Sequence, residues 1–394
     1  MDNKFIPLSV PNLKGNELQY VTEAIQTEWV STGGKFITDF EVKLSEYVNS
    51  KGAVACQSGT SGIHLALEVC GVKKNDEVIV PTLTFIATVN PIKYINANPV
   101  FMDCDDTLNI DCDKLEDFLS TQCEFVDGKL LNKSTNAQIK AMIVVHIFGN
   151  IANMERIMNI AKKYNLKVIE DAAEALGSYY TEGVFKNRHA GTIGDIGVYS
   201  FNGNKIITTG GGGMIVSNDK KYLQQAKYLS MQAKDNELHY IHNEIGYNYR
   251  MTNLQAALGL AQIEQLERFI KIKMDNYFFY QQQIKGIKGL QLLLFHQDIR
   301  ANHWFYSIIL DSELFDRDTI IQRLLEHGVQ TRPVWGLIHD QKPYRHYETY
   351  KLEKALYYQK RVINIPCSSN LTTEDIKKVI RAIKDIIGGS HCGF

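Results

Sequence analysis

The sequence predicts an α/β protein with a mostly parallel central sheet flanked by helices and a smaller α+β unit at its C-terminal end. Two patterns carry this expectation. From about residue 50 to 220, short Val- and Ile-rich runs alternate with stretches of helical periodicity, the order that places parallel strands beneath crossover helices. Several of these runs show no polar alternation, as expected of strands covered on both faces.

Taken in order, strands are expected at Ala53–Cys56, Glu77–Thr82, Pro99–Asp103, Ala141–His146, Lys167–Asp171, Gly197–Ser200 and Gly213–Ser217. Helical stretches fall between them at Ser61–Cys70, Ala87–Ile95 and Ala152–Tyr164, the last opened by the polar cap candidate Asn153 after Gly149 punctuates the strand exit. A long helical pattern begins at Thr252, where Thr252 and Gln255 suit a capping box, and runs through Leu254, Ala257, Leu258, Ile263, Leu266 and Ile270 toward Tyr277. The domain transition is expected along it, with residues 1–255 forming the large unit and 256–394 the small one. The small unit reads as a strand at Trp304–Leu310, a helix from Asp316 to about His327, a strand before Pro333, and a closing helix after Thr372 with an acidic first turn. The tail Gly388–Phe394 is given no role.

Charge and composition narrow the function. The 394 residues carry 43 basic and 44 acidic side chains, so no broad electrostatic footprint for nucleic acid or an anionic membrane exists and any phosphate must be held locally. Met1–Lys4 does not open a signal-peptide pattern, and no run approaches the roughly 18 apolar residues of a membrane span, so a cytoplasmic protein is expected. Seven cysteines are odd in number, scattered, and never in a C-x-x-C pair. That argues against a disulfide framework and against a zinc site, and no metal is expected.

The chemistry-bearing residues are spread over the predicted strand ends. Lys205 follows Ser200-Phe201-Asn202-Gly203-Asn204 and precedes the run Gly210–Gly213, while Asp171 ends the apolar strand Lys167–Asp171, where ligands of open α/β sheets collect. An amine paired with a buried carboxylate suits pyridoxal 5′-phosphate: the lysine holds the aldehyde as a Schiff base, and the carboxylate keeps the pyridine nitrogen protonated. Each residue also has a plainer reading. Asp171 or Glu170 could cap a following helix, a lysine is usually a solvated charge, and the glycine run would suit a simple turn. Ser58-Gly59-Thr60-Ser61-Gly62 leads from a strand into an apolar helix, so its N–H groups and hydroxyls could hold a phosphate dianion, with Ser200 donating to the same phosphate, or could simply cap. Phe85, just past a strand end, could stack on a flat heterocycle or pack in the core. His146, ending an apolar strand, reads as a satisfied core histidine.

Read together, Ser58-Gly59-Thr60, Thr84-Phe85, Glu170-Asp171-Ala172-Ala173-Glu174, Ser200-Phe201-(x3)-Lys205, Gly210–Gly213 and Gly246-Tyr247-Asn248-Tyr249-Arg250-Met251 resemble the sugar aminotransferases of the DegT/DnrJ/EryC1/StrS family, in order and over essentially the whole chain. The resemblance implies a fold-type I, pyridoxal-phosphate-dependent homodimer that aminates a nucleotide-linked keto-sugar with L-glutamate as donor. It further implies that Lys205 carries the cofactor, Asp171 pairs with the pyridine nitrogen, and Phe85 and Ala173 face the two sides of the ring. Gly59, Thr60 and Ser200 would hold the phosphate, joined by Asn248 from the partner subunit, and Glu174 falls where many relatives have Gln near the ring hydroxyl. Lys205 would also shuttle the proton between the donor α-carbon and the cofactor.

The segments Ile6–Leu13, Trp29–Lys35 and Asn204–Gly210 are most similar to the branch acting at C4 of 4-keto-6-deoxy sugars, and a UDP-linked 2-acetamido-2,6-dideoxy-4-keto-hexose is the favoured substrate. A GDP-linked 4-keto-6-deoxymannose is the alternative. Trp29, Lys35, Arg250 and His339 are candidate sugar or diphosphate contacts. Two rival functions are a sugar dehydratase, whose relatives carry histidine where this chain has Lys205, and a non-catalytic regulator that binds cofactor or sugar.

Overall fold

The computed structural model describes residues 4–236 and 238–389. Six described cysteines are buried free thiols; the seventh, Cys392, and most of the C-terminal tail lie outside the described residues. The seven expected strands lie in one ten-stranded sheet. Through its middle, Ile196–Ser200, Lys167–Asp171, Gln138–Val145, Glu77–Pro81, Asn98–Met102 and Thr349–Tyr350 run parallel in that spatial order. The flank is antiparallel: Gly213–Val216 pairs with Ile196–Ser200, and Ala53–Cys56 pairs with Gly213–Val216. The connection 201–212 contains no helix, so the chain turns back directly instead of crossing over. A hairpin of Cys123–Val126 and Lys129–Asn132 extends the sheet elsewhere. The result is a mixed sheet with a parallel centre.

Continuous apolar strands bury both faces. Met142 and Val168 point into one core with Phe40 and Leu44, while the adjacent Ile143 and Ile169 point into the opposite core with Ile63 and Leu67. Each such burial contributes about 1.5–3 kcal/mol.

Two helical expectations break for identifiable reasons. The stretch 87–95 divides into a 3₁₀ turn at Ile86–Thr88 and a helix at Asn90–Tyr94. Pro91 has no N–H for an intrahelical bond and is tolerated only in a first turn, so the helix restarts there. The long pattern from Thr252 becomes two helices, Asn253–Ile263 and Leu266–Ile284. Its capping box is present: the Thr252 hydroxyl accepts from Gln255 N at 3.3 Å, and Gln255 Oε1 accepts from Thr252 N at 3.1 Å. At the break, Glu264 accepts from Asn16 and from the Tyr20 hydroxyl, both at 2.8 Å, tying the helix end to the N-terminal helix Glu17–Gln26.

The second unit is a four-stranded antiparallel sheet ordered Leu290–Leu292, Tyr306–Leu310, Val362–Ile365, Arg332–Pro333. The helices Arg317–Glu326 and Thr373–Gly389 accompany it. The helix Leu266–Ile284 serves both units, placing Phe269 and Ile270 in the large core and Tyr277, Tyr280 and Ile284 in the small one. Ile6 and Leu8 belong to the small core, whereas Thr349–Tyr350 returns to the edge of the large sheet.

Candidate active site

The parallel strands deliver their C-terminal ends to one edge of the sheet, and a cavity of about 330 Å³ opens there. Eight of the predicted site residues line it: Gly59, Thr60, Phe85, Asp171, Ala173, Glu174, Ser200 and Lys205.

The Ser58–Gly62 turn caps its helix and still leaves donors open. Ser58 and Ser61 form a reciprocal capping box on the helix Gly59–Val69. The N–H groups of Gly59 and Thr60 are left without a partner among the described residues, as are the hydroxyls of Thr60 and Ser200. Gly59 lies so close to Ser200 that a Cβ there would come within 3.0 Å of the serine Cβ. Gly213 lets this turn cross the sheet: a Cβ on it would meet Ser58 backbone atoms at 2.5 Å. Unpaired donors and two hydroxyls at a helix N-terminus form a cradle for a phosphate dianion.

Asp171 sits at the end of its strand, 4% exposed. No helix follows it, so the capping alternative does not arise. Its Oδ2 accepts from the Thr88 hydroxyl at 2.7 Å and its Oδ1 from Ala173 N at 3.1 Å. Burial raises its pKa; the two donors and the Lys205 charge oppose that rise. Glu170 faces the other way. Fully buried, it receives the backbone N–H groups of Gly191, Ile193 and Gly194 and pairs with His146 Nε2 at 2.8 Å. Burial would raise its pKa, but His146 and these donors hold it below the ordinary carboxylate value. His146 Nδ1 accepts from Ala152 N at 3.2 Å, so the histidine is satisfied in the core.

Lys205 projects from the turn after strand Ile196–Ser200. Its Nζ lies 4.2 Å from the centroid of the Trp304 ring and 3.9 Å from Glu174 Oε1, and makes no hydrogen bond among the described residues. Burial lowers its pKa, opposed by Glu174 and Asp171. For Glu174, burial pushes the carboxyl up to about 7 against the Lys205 charge and a 2.8 Å bond from Phe148 N. Burial thus favours the neutral form of both partners.

The remaining candidates do not line this cavity. Arg250 is buried and spent on an ion pair with Glu41 and a contact to Ala55 O, because an unpaired guanidinium inside the fold would be costly. Lys35 is exposed and pairs with Glu23, and Trp29 is an exposed surface residue. His339 Nδ1 is 2.7 Å from the Thr82 hydroxyl. Asn248 is exposed on the chain's own surface.

Thr88, Trp304 and Trp335 are among the cavity residues to which the sequence motifs assigned no site role. Trp304 was expected inside a strand, but the strand starts at Tyr306 and the indole instead stacks on Phe305 at 3.9 Å. Its Nε1 donates to Asn204 O at 2.7 Å, pinning the lysine turn. The only available signal for Thr88 was its spacing from Thr84; their hydroxyls are 3.0 Å apart.

A buried amine without a hydrogen-bond partner, a buried carboxylate fixed by two donors, and an unpaired phosphate cradle fit the aldehyde, ring nitrogen and phosphate of pyridoxal 5′-phosphate. The site is that of a pyridoxal-phosphate-dependent aminotransferase. Residues 11–384 match the model of the DegT/DnrJ/EryC1/StrS aminotransferase family, and the chain belongs to that family. It is 38% identical to the GDP-perosamine synthase of Escherichia coli O157:H7, with 97% of this chain and 98% of that protein covered. Identity to the UDP-4-amino-4,6-dideoxy-N-acetyl-beta-L-altrosamine transaminase of Campylobacter jejuni is 30%, covering 98% of this chain and all of that one (100%). The crystal structure of a DegT DnrJ EryC1 StrS aminotransferase from Brucella abortus superimposes with a TM-score of 0.86 at 26% identity, covering 95% of each chain. The chain is thus a sugar aminotransferase of nucleotide-sugar biosynthesis. Among the described residues no helix is long and apolar enough to cross a membrane, and no group of side chains is arranged to hold a metal ion.

Proposed function

We propose that this enzyme moves the amino group of L-glutamate to C4 of a nucleotide-linked 4-keto-6-deoxy sugar, as a cytoplasmic homodimer in which Asn248 of each chain completes the other's phosphate site. The observation that carries the reading is the Lys205 amine, held between the Trp304 ring and Glu174 in a cavity that also contains Asp171. When bound, pyridoxal 5′-phosphate supplies an aldehyde that accepts the amino group and a cationic ring that draws electrons from the reacting carbon. The chain supplies the rest. Asp171, fixed by Thr88 and Ala173, holds the ring proton. Gly59, Thr60 and Ser200 orient the phosphate. Lys205, its amine made less basic by burial, takes a proton from the donor carbon in one half-reaction and delivers a proton to the sugar carbon in the other. The aromatic wall of Trp304, Phe305 and Trp335 excludes water and offers an apolar face to a deoxygenated sugar.

For the nucleotide, the greater identity to the GDP-perosamine synthase, 38% against 30% for the UDP-sugar transaminase, supports a GDP-linked 4-keto-6-deoxymannose ahead of the UDP-linked N-acetylated sugar that the sequence motifs favoured. The test is a panel of GDP-, UDP- and dTDP-linked 4-keto-6-deoxy sugars with L-glutamate, read by mass spectrometry of the amino-sugar product. Amination of one nucleotide series at least tenfold faster than the others assigns the substrate. Product from none of them would sink the C4 reading.

A further inference from the structure

Glu174 is held at two points, side chain and backbone, more firmly than a wall residue needs. Its Oε2 accepts from Phe148 N at 2.8 Å, and Phe148 adopts a left-handed φ of 56° that presents its N–H to the carboxylate. Its own backbone carbonyl accepts from Asn302 Nδ2 at 2.9 Å, and the same amide group also binds Leu176 O at 2.9 Å. Asn302 is fully buried and cannot swing away. The consequence is that one oxygen, Oε1, is left with no hydrogen bond and faces Lys205 Nζ at 3.9 Å, an ion-pair separation with room for a small adjustment.

We propose that Glu174 is the proton-holding partner of Lys205, taking up through Oε1 the proton that Nζ must shed before acting as a base and returning it when Nζ must act as an acid. The exchange balances by itself: an N–H bond of the ammonium breaks, an O–H bond of the carboxyl forms, and no electrons change hands. Burial makes it cheap, because it raises the proton affinity of the carboxyl to about 7 and lowers that of the amine, so the two converge. The charged groups facing the pair are few. Asp171 approaches from the strand end and acts on both, the 147–149 turn contributes the uncharged N–H of Phe148, and the 302–305 segment contributes the uncharged Asn302 and Trp304.

The test is a pH titration of the full-length holoenzyme and of the Glu174→Gln and Glu174→Asp variants. It follows the resting visible absorption band, which reports the proton on the Lys205 nitrogen, and the single-turnover loss of that band on mixing with L-glutamate. A carboxylate beside the nitrogen holds its proton, so Glu174→Gln should move the resting midpoint toward acid by about one pH unit or more. It should also slow the single-turnover step about tenfold or more, the common scale for losing one acid–base group. Glu174→Asp, which keeps the charge, should restore most of the resting midpoint. A Glu174→Gln midpoint equal to wild type in a protein of unchanged Tm would overturn the proposal. So would equal shifts in the Gln and Asp variants, which would trace the effect to packing and not to charge. The resting titration needs neither donor nor sugar, so it stands or fails separately from the C4 reading.

Discussion

Replacing Thr88 by Val tests whether the charge of Asp171 is made by its surroundings. The substitution keeps the shape of the side chain and removes one hydroxyl, which donates to Asp171 Oδ2 at 2.7 Å inside the fold. A hydrogen bond to a charged acceptor contributes about 1.5–3 kcal/mol, equivalent to roughly one to two pKa units at 1.36 kcal/mol each. Burial already raises the Asp171 carboxyl, and the Thr88 hydroxyl is the first of the groups opposing it. Thr88→Val therefore raises it further, so the carboxyl keeps its proton at higher pH and no longer neutralises a cationic ring. Cofactor affinity, measured by equilibrium dialysis from pH 6 to 9, should fall by up to about 10- to 100-fold, most at the acid end of the range, and recover as the pH rises and the carboxylate re-forms. Affinity equal to wild type across that range would refute the reasoning and mean that the ring nitrogen is neutralised elsewhere.

Three further outcomes are expected. Lys205→Ala should abolish transamination, with circular dichroism and Tm showing an intact fold; appreciable turnover would refute the assignment of the amine. Asp171→Asn should lower the rate of the glutamate half-reaction by several orders of magnitude while stabilising the cofactor-free chain at pH 7. The sign follows from the raised carboxyl: its contribution to stability is full below the unfolded carboxylate value and is lost as pH rises through the higher folded value, a loss the amide escapes. A lower cofactor-free Tm for the variant would contradict this. Arg250→Ala should cost about 3–5 kcal/mol in urea unfolding, because it strands the buried Glu41 carboxylate. Unchanged stability with a raised KM for the sugar would instead make Arg250 a substrate contact.

What could be read before folding was whatever local chain chemistry dictates. Apolar runs of five or so residues marked the strands, and Thr252 and Asn153 marked helix starts, because period and capping are properties of neighbours in sequence. Lys205, Asp171 and the Ser58–Thr60 turn were legible for a related reason: in an open α/β sheet a strand end is already an address, and ligand groups gather there.

Tertiary structure decided whatever depends on partners distant in the chain. Arg250 is a candidate substrate contact by its place in the sequence, but its ion pair with Glu41, 209 residues away, exists only in the fold. Thr88 gained its role only when the segment after one strand met the end of another, 83 positions on. Trp304, close to 100 residues beyond the lysine turn, reached Asn204 because the small unit folds back over the large one. Glu174 acquired its perturbed proton affinity from burial beside Lys205. Composition and spacing establish which groups a chain owns; desolvation and close approach set their charge, and those exist only once the chain is folded.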